Sequence, residues 1–340
     1  MKSFQRLAVP ILAALLFASA AIANAEDAAA PNIPAHLQAV SVTVRAGQSS
    51  GSGVVKTRDG THYIWTAGHV VAGLRHTRKV LKGGSDLTVV EFSDPSIVQK
   101  ITDDKGKIIG EYSLACEVIR YSEPEQQDLA LLRVRKRDFL KDSATFHVTD
   151  DPLPPGTELY HVGSLLGDFG SNSLTEGIVS QVGRTLFDGI EFDQTTATAY
   201  PGSSGGGMFT KDGKYAGMLV RGAGESFNLM VPARRIKKWA EKVGVTFAID
   251  DAAAVPSEDE LDKTPIEDSG SELVRDAAKD SDDPPSMHFH PDSWEYPTLE
   301  MTHGESYDLD ADLPAPPAPE APKAGDIRYE IVPIPVVRKN

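Results

Sequence analysis

Short stretches in which apolar and polar residues alternate run along most of the chain between residues 37 and 233. Turn-forming Gly, Pro and Asp residues separate them, and many short strands at regular spacing are typical of an all-β barrel or sandwich. The predicted strands lie at 37–44, 52–56, 61–67, 86–92, 114–121, 128–134, 158–164, 176–183, 189–196, 215–220 and 227–233. The periodicity predicts an all-β domain and leaves open which of the two architectures it adopts.

One segment, ARRIKKWAEKVG at 233–244, breaks this pattern. Its apolar residues recur at helical spacing and form one face of an amphipathic helix, with Gly244 as its C-terminal cap. These residues are Ile236, Trp239, Ala240 and Val243. The helix is expected to close the domain by packing on the β structure.

Residues 249–340 differ in composition from everything before them. They are rich in charge and Pro, and residues 251–340 carry the whole net charge of −15. Such a segment buries too little apolar surface to offset its chain entropy, so we expect a disordered acidic tail over 249–340. The remainder is electrically neutral, so the charge gives no electrostatic footprint for a nucleic-acid partner, which requires clustered Lys and Arg.

The first 25 residues have the pattern of a signal peptide. Lys2 and Arg6 precede an apolar run, and Ala23-Asn24-Ala25 forms an A-x-A cleavage site before a short linker at 26–36. We expect export to a periplasm or the outside, with no stable membrane insertion after cleavage. The single cysteine, Cys116, excludes an intramolecular disulfide and is expected to be a buried small hydrophobe.

The stretch AYPGSSGGGMF at 199–209 is the strongest candidate for chemistry. It lies between two predicted strands, which argues against a flexible linker, and it lacks the Lys of a Walker phosphate loop. It formally matches G-x-S-x-G, but the nucleophile elbow needs a following helix and a later His, and here a strand and turn follow. The remaining match is G-x-S-G-G, in which the nucleophile precedes two glycines and is therefore Ser204.

Two upstream motifs complete this pattern. WTAGHVV at 65–71 contains His69, and QQDLALLRV at 126–134 contains Asp128. In this order the three motifs resemble the trypsin-like (chymotrypsin-fold, S1 type) serine peptidases over about residues 37–245. GSLLGDFGSNSLTEGIVSQVGR at 163–184 is most similar to HtrA/Deg-type bacterial proteases. The resemblance implies a protease domain at 37–248 made of two six-stranded antiparallel β-barrels.

The resemblance also implies the roles of individual residues. His69 is the general base, Asp128 holds its tautomer, and Ser204 is the nucleophile. The N–H groups of Gly202 and Ser204 form the oxyanion hole, while Gly205 and Gly206 let the chain pass the catalytic histidine without a Cβ clash. Ser203 is a small turn residue.

Substrate-binding residues follow by the same comparison. Thr198 lies near the floor of the primary specificity pocket, and Val220, Arg221 and Gly222 form its wall and a substrate-pairing edge. Without an acid at Thr198, we expect a small or medium aliphatic residue before the cleaved bond. His62 and His76 flank His69 without a cysteine or carboxylate cluster, so the sequence favours no metal and no cofactor.

The chain departs from the HtrA pattern in its tail, which holds no recognisable PDZ domain. The apolar end at 327–340 is a candidate docking segment, and the oligomeric state is left open. The function predicted is an exported serine endopeptidase acting on unfolded or exposed polypeptide. The alternatives are a non-catalytic protein-binding module on the same fold and a hydrolase of small esters, which the motif order disfavours.

Overall fold

The computed structural model describes residues 32–268 apart from 83–84, 104, 186–188 and 223–225, and gives only the backbone of residues 82 and 85–88. The chain divides into two units after Arg275, and all described residues belong to the first. The predicted signal peptide, the predicted docking segment and the tail beyond residue 268 lie outside the described residues.

Eight strands make up the first half of the fold. They are β1 (Ser41–Ala46), β2 (Ser49–Arg58), β3 (Thr61–Thr66), β4 (Arg75–Lys82), β5 (Ser85–Phe92), β6 (Ser96–Thr102), β7 (Ile108–Tyr121) and β8 (Ala130–Val134). Six of them close into an antiparallel barrel in the order β1-β2-β3-β8-β7-β6, and β4 and β5 form a separate hairpin.

Seven strands make up the second half. They are β9 (Thr145–Phe146), β10 (Glu158–Leu165), β11 (Gly170–Thr185), β12 (Glu191–Thr195), β13 (Gly207–Thr210), β14 (Lys214–Gly222) and β15 (Asn228–Pro232). The order is β13-β10-β11-β12-β15-β14-β9, and an additional pairing of β13 with β14 closes the other six strands into a ring. The short β9 pairs in parallel with β14. The prediction of two six-stranded antiparallel barrels is confirmed.

Polar residues of β1 are buried where the two barrels meet. In the strand SVTV the side chain of Thr43 is only 1% exposed, although alternation marks it as the polar face. Its hydroxyl lies 2.5 Å from that of Ser164 on β10 and 2.6 Å from that of Ser171 on β11. A buried hydroxyl needs such partners, so the polar face of β1 becomes an interface between barrels.

In the described residues, four helices accompany the strands: α1 (Ile33–Ala39), α2 (Gly68–Val71), α3 (Ala233–Lys242) and α4 (Glu258–Lys263), with 3₁₀ turns at Ala72–Leu74 and Thr246–Ala248. The buried residues of α3 include Ile236, Trp239 and Ala240, as the helical spacing predicts. Gly244 follows with φ +71°, the left-handed conformation of a glycine after a helix end. Over the described ranges, no helix is long and apolar enough to cross a bilayer.

The first predicted strand, 37–44, starts too early. The chain is helical over Ile33–Ala39, and β1 begins only at Ser41. Asn32 caps this helix, since its side chain accepts a hydrogen bond from the N–H of Ala35. Leu37 is fully buried on the helix, so its apolar character reflects helix packing on the barrel rather than a strand.

Packed structure continues past residue 248, where sequence composition placed the end of the domain. Helix α4 begins with a capping box between Ser257 and Glu260, and Leu261 is only 3% exposed. Several side chains of the domain bind this segment; among them, Arg120 donates to the carbonyl oxygen of Leu261, and Trp239 donates to the carboxylate of Asp268 at 2.9 Å. Although residues 249–268 are mostly acidic, a few of them pack against the domain or form hydrogen bonds with it.

Candidate active site

His69 and Asp128 are joined by a backbone hydrogen bond and by the ring nitrogen Nδ1, which lies within reach of both carboxylate oxygens. His69 lies on α2, directly after β3, and Asp128 lies just before β8, which pairs with β3. One oxygen of the Asp128 carboxylate accepts from the backbone N–H of His69 at 2.9 Å, and both oxygens lie 3.0 Å from its Nδ1. The carboxylate thus fixes the imidazole in position and directs a proton to Nδ1, leaving Nε2 as the free nitrogen.

Asp128 is held as a buried carboxylate. Its side chain is 1% exposed and its backbone has φ +53°, a left-handed conformation that Asp tolerates better than most residues. Burial acts to raise the pKa of Asp128, but the charge and hydrogen bonds of His69 and the nearby Arg221 outweigh it, so the pKa is lowered. The half-exposed imidazole beside it therefore faces a permanent negative charge.

The serine–glycine stretch begins with a tight turn. The N–H of Ser203 donates to the carbonyl oxygen of Tyr200 at 2.9 Å, and Gly202 has φ +93°. Pro at the second and Gly at the third position are the residues that a type II turn requires. Ser203 is buried, and its hydroxyl accepts a hydrogen bond from the N–H of Tyr200, so it acts within the turn.

Ser204 is fixed against the first barrel. The N–H of Ser52 on β2 donates to the carbonyl oxygen of Ser204 at 2.7 Å. A Cβ on Gly51 would lie 2.9 Å from that oxygen and 2.5 Å from the side chain of Val70, the neighbour of His69. Gly51 therefore marks where the serine loop and the histidine helix meet, and glycine is required there because the two backbones approach so closely.

The serine loop contains two backbone N–H groups that form no hydrogen bond in the described structure. Within the part of the chain that the structure describes, neither Gly202 nor Ser204 donates its N–H to an acceptor. The carbonyl oxygen of Pro201 accepts from the N–H of Leu166 at 2.7 Å. Because C=O and N–H point in opposite directions in a trans peptide, this bond turns the Gly202 N–H away from Leu166. Unpaired, pre-aimed N–H groups are the donors that an oxyanion hole needs.

Of the predicted specificity residues, Val220 contacts Ser204 directly. The hydroxyl of Ser204 is 3.5 Å from the carbonyl oxygen of Val220, on the part of β14 that runs past the end of β13. Thr198 is exposed, and Gly222 faces Ala199 across a gap that a Cβ would narrow to 3.2 Å. The side chain of Arg221 turns elsewhere: it donates to the carbonyl oxygen of Pro124, in the loop that carries Asp128.

Gly205 and Gly206 are needed for a different reason from the one predicted, since the groups that crowd them belong to Ser52 and His161 rather than to His69. A Cβ on Gly206 would lie 2.7 Å from Nε2 of His161, and one on Gly205 would lie 2.1 Å from the carbonyl oxygen of Ser52. His161 is a fully buried histidine on β10 whose Nε2 has no hydrogen-bond partner among the described residues. Burial lowers its pKa to about 4, against a smaller opposing effect of the Ser203 backbone. No sequence motif marks His161, because it lies within an ordinary apolar strand.

Ser52 is a second residue that the sequence did not single out. Its hydroxyl donates to the carbonyl oxygen of Gly202 and accepts from the N–H of Ser164, both at 2.7 Å. It thereby joins both barrels and the serine loop at one atom. The only local signal is the run of small residues at 49–53, which is typical of close backbone approach.

Other candidate residues have structural partners. Nδ1 of His62 lies 2.9 Å from the hydroxyl of Thr57, and its Nε2 accepts from the N–H of Phe139 at 3.0 Å. Burial lowers the pKa of His62. The neutral imidazole is thereby favoured, and its Nε2 can accept the hydrogen bond from Phe139. Cys116 is buried, and burial raises the pKa of its thiol to about 12, which suppresses the reactive thiolate.

Comparison with known proteins finds a matching family and several relatives. Residues 51–218 match the family described as Trypsin-like peptidase domain. The serine protease Do-like HtrA of Bacillus subtilis (strain 168) is 30% identical over 206 residues, which cover 57% of this chain and 39% of that protein. The probable periplasmic serine endoprotease DegP-like of Pseudomonas fulva (strain 12-X) is 32% identical over 176 residues, covering 51% of this chain and 29% of that protein. The crystal structure of Deg5 aligns with a TM-score of 0.44 and 22% identity, over 64% of this chain and 95% of that one.

Over residues 51–218 this chain is similar to the trypsin-like peptidase domain family. It is similar to the HtrA and DegP-like serine proteases, and the match spans well under half the length of these two relatives.

Proposed function

We propose that the protein is an exported serine-type endopeptidase that hydrolyses peptide bonds of unfolded or exposed polypeptide. The observation that carries the proposal is the buried Asp128 carboxylate, which binds both the backbone N–H and the ring of His69. A buried carboxylate that serves one histidine, together with a serine loop whose backbone N–H groups are unused, supports nucleophilic acyl transfer.

In the proposed reaction the hydroxyl oxygen of Ser204 attacks the scissile carbonyl carbon, and its proton passes to Nε2 of His69. The C–N bond then breaks, and the departing amine takes that proton. A water molecule attacks the resulting ester and gives its proton to His69, and the proton returns to Ser204 as the acid product leaves. Asp128 stays ionised throughout and stabilises the imidazolium.

Two backbone groups serve the charge that develops on the substrate oxygen. The N–H groups of Gly202 and Ser204 would donate to the oxyanion of each tetrahedral intermediate. They support this role because they are unused and because the bond between Leu166 and Pro201 fixes the peptide plane of one of them. The free edge of β14 at Val220 would pair with the substrate backbone next to Ser204.

Export is part of the proposal and rests on sequence. Residues 1–25 carry the charged, apolar and A-x-A regions of a signal peptide. One of the relatives is named a periplasmic endoprotease. Comparing the protein in cells and in extracellular or periplasmic fractions, and determining the N-terminus of the exported form, tests this part. A mature N-terminus that still includes Lys2 would contradict it.

The activity is tested with chains lacking residues 1–25, incubated with unfolded casein and with a fluorophosphonate probe. The unchanged protein should cleave casein and bind the probe, whereas Ser204→Ala should lose both, with a rate lower by about 10⁴–10⁶. Ser180→Ala is the matched control, because it removes a serine hydroxyl of the second barrel that has no partner in the described structure. If the unchanged protein neither cleaves nor labels, the non-catalytic binding module becomes the better interpretation.

A further inference from the structure

The side-chain amide of Asn228 is buried, and only one of its two polar atoms has a hydrogen-bond partner among the described residues. It lies at the start of β15 and is 2% exposed. Its Nδ2 donates to the carbonyl oxygen of Ala197 at 2.7 Å, while its Oδ1 has no hydrogen-bond partner among the described residues. A buried carbonyl oxygen without a donor is uncommon and needs an explanation.

The orientation of this amide follows from its neighbour. The carbonyl oxygen of Ala197 can only accept a hydrogen bond, so the nitrogen of Asn228 must face it. Rotating the amide by 180° would place two acceptor oxygens against each other at hydrogen-bond distance. The unpaired atom is therefore an acceptor, and it points away from Ala197.

The unpaired oxygen lies beside the predicted specificity pocket. Asn228 pairs with Gly222 in the ladder between β14 and β15, and a Cβ on Gly222 would lie 2.8 Å from Oδ1 and 3.2 Å from the Cβ of Ala199. A side chain at position 222 would collide with Oδ1, so glycine keeps this oxygen free of a side chain from β14. Gly222 lies two residues, or about 7 Å, beyond Val220, whose carbonyl oxygen contacts the Ser204 hydroxyl.

We propose that Asn228 is a specificity-determining residue whose Oδ1 accepts a hydrogen bond from the substrate side chain before the scissile bond. The inference rests on the proposed peptidase function and names its substrate class. The protease selects Ser, Thr, Asn or Gln at that position, residues that end in a neutral hydrogen-bond donor. An aliphatic side chain, which the sequence favoured from Thr198 alone, would leave the acceptor unpaired in the complex.

The selection for a neutral donor has a physical reason. An amide oxygen carries only a partial charge and does not compensate for removing the ammonium group of Lys from water. The other pocket residues, Ala197, Thr198, Ala199 and Gly222, supply no carboxylate. A hydroxyl or amide donor loses less hydration and satisfies an acceptor that is already buried in the free enzyme. Sites that hold an unpaired polar group discriminate strongly against substrates that cannot pair with it.

The test uses two pairs of fluorogenic peptides that differ only at this residue, Thr against Val and Asn against Leu. The members of each pair have nearly the same shape, so the comparison isolates the polar group. We expect kcat/KM to be at least about 10-fold higher for Thr and for Asn in the unchanged protein. Asn228→Leu should reduce both ratios to about one or below. Tyr215→Phe is the matched control, since it removes another buried unpaired oxygen of the second barrel and should leave the ratios unchanged.

The outcomes separate this inference from the proposed function. Faster cleavage of the Val and Leu peptides, alongside casein cleavage and fluorophosphonate labelling that depend on Ser204, overturns the role of Asn228 and leaves the peptidase function intact. Unchanged ratios in Asn228→Leu overturn the assignment to this residue. If Asn228→Leu does not fold, the ratios in the unchanged protein still decide whether the pocket selects a donor. Failure of the unchanged protein to cleave any substrate or bind the probe overturns both proposals.

Discussion

The backbone N–H of Leu166 donates a hydrogen bond to the carbonyl oxygen of Pro201 at 2.7 Å, and this bond orients the peptide that ends in the Gly202 N–H. Leu166 itself has φ +60° and an exposed side chain. The loop after β10 therefore acts on the serine loop through its backbone. The geometry of the proposed oxyanion hole depends on a contact between two loops that are 35 residues apart in the sequence.

Gly202→Ala should abolish this geometry. A Cβ at this position would lie 2.3 Å from the carbonyl oxygen of Ser164 and 2.7 Å from the nitrogen of Gly167, so the turn would have to move. We expect kcat to fall by about 10²–10³, the typical effect of losing one oxyanion donor. Gly156→Ala is the control, because Gly156 has a similar φ of +89° with nothing near its Cβ position. Equal kcat losses in the two variants would contradict the role of the Gly202 N–H.

Asp128→Asn tests whether the Asp128 carboxylate sets the tautomer of His69. The amide keeps the shape of the side chain but cannot hold the proton of His69 on Nδ1 through both of its atoms. We expect kcat/KM on peptides near pH 7 to fall by about 10⁴. Circular dichroism and thermal unfolding of the same sample establish that the variant is folded. A loss below 10-fold in the folded protein would exclude Asp128 from the proposed triad.

His161 should make the folded protein sensitive to mild acid. Its pKa in the folded state is about 4, below the 6.5 of a free histidine, so the unfolded chain binds more protons between these values. The free energy of unfolding therefore falls as the pH drops from about 6.5 to about 4, by about 3 kcal/mol in total. His161→Gln should remove this part of the pH dependence in urea-unfolding series.

The control for this series is His76→Gln, which replaces a half-exposed histidine near Glu91. The same urea-unfolding series on this variant shows how much of the pH dependence the loss of a surface histidine removes. If His161→Gln and the unchanged protein lose stability in parallel over this range, the buried imidazole is not responsible for it.

Two truncations test where the packed structure ends. A chain ending at residue 268 should be as stable as the full chain, whereas one ending at residue 248 should lose about 2–4 kcal/mol. The shorter chain removes the carbonyl of Leu261 from the buried Arg120 guanidinium and the carboxylate of Asp268 from Trp239. Urea unfolding of the two chains measures the difference, and equal midpoints would show that residues 249–268 add no stability.

Local sequence patterns predicted much of the secondary structure. Most of the strand positions and the α3 helix follow from alternation and helical spacing, because each depends on neighbours a few residues apart. The predicted start of the first strand at residue 37 was wrong because a few residues of alternation also fit a short capped helix, which spans Ile33–Ala39. The segment 249–268 escaped detection because its composition is dominated by charge, while Leu261 and Asp268 act through distant partners.

The candidate site divides in the same way. The order of the three motifs and the choice of Ser204 over Ser203 could be read from the sequence, since each motif carries its own glycines or flanking strand. The resemblance of these motifs to a known family also implied the number and antiparallel character of the barrels, which the periodicity alone left open. The role of Ser52, the burial of His161 beneath Gly206 and the unpaired oxygen of Asn228 were decided only by the tertiary structure. Each depends on which backbone atoms of distant strands meet in three dimensions, and a linear pattern contains no signal for an atom left without a partner.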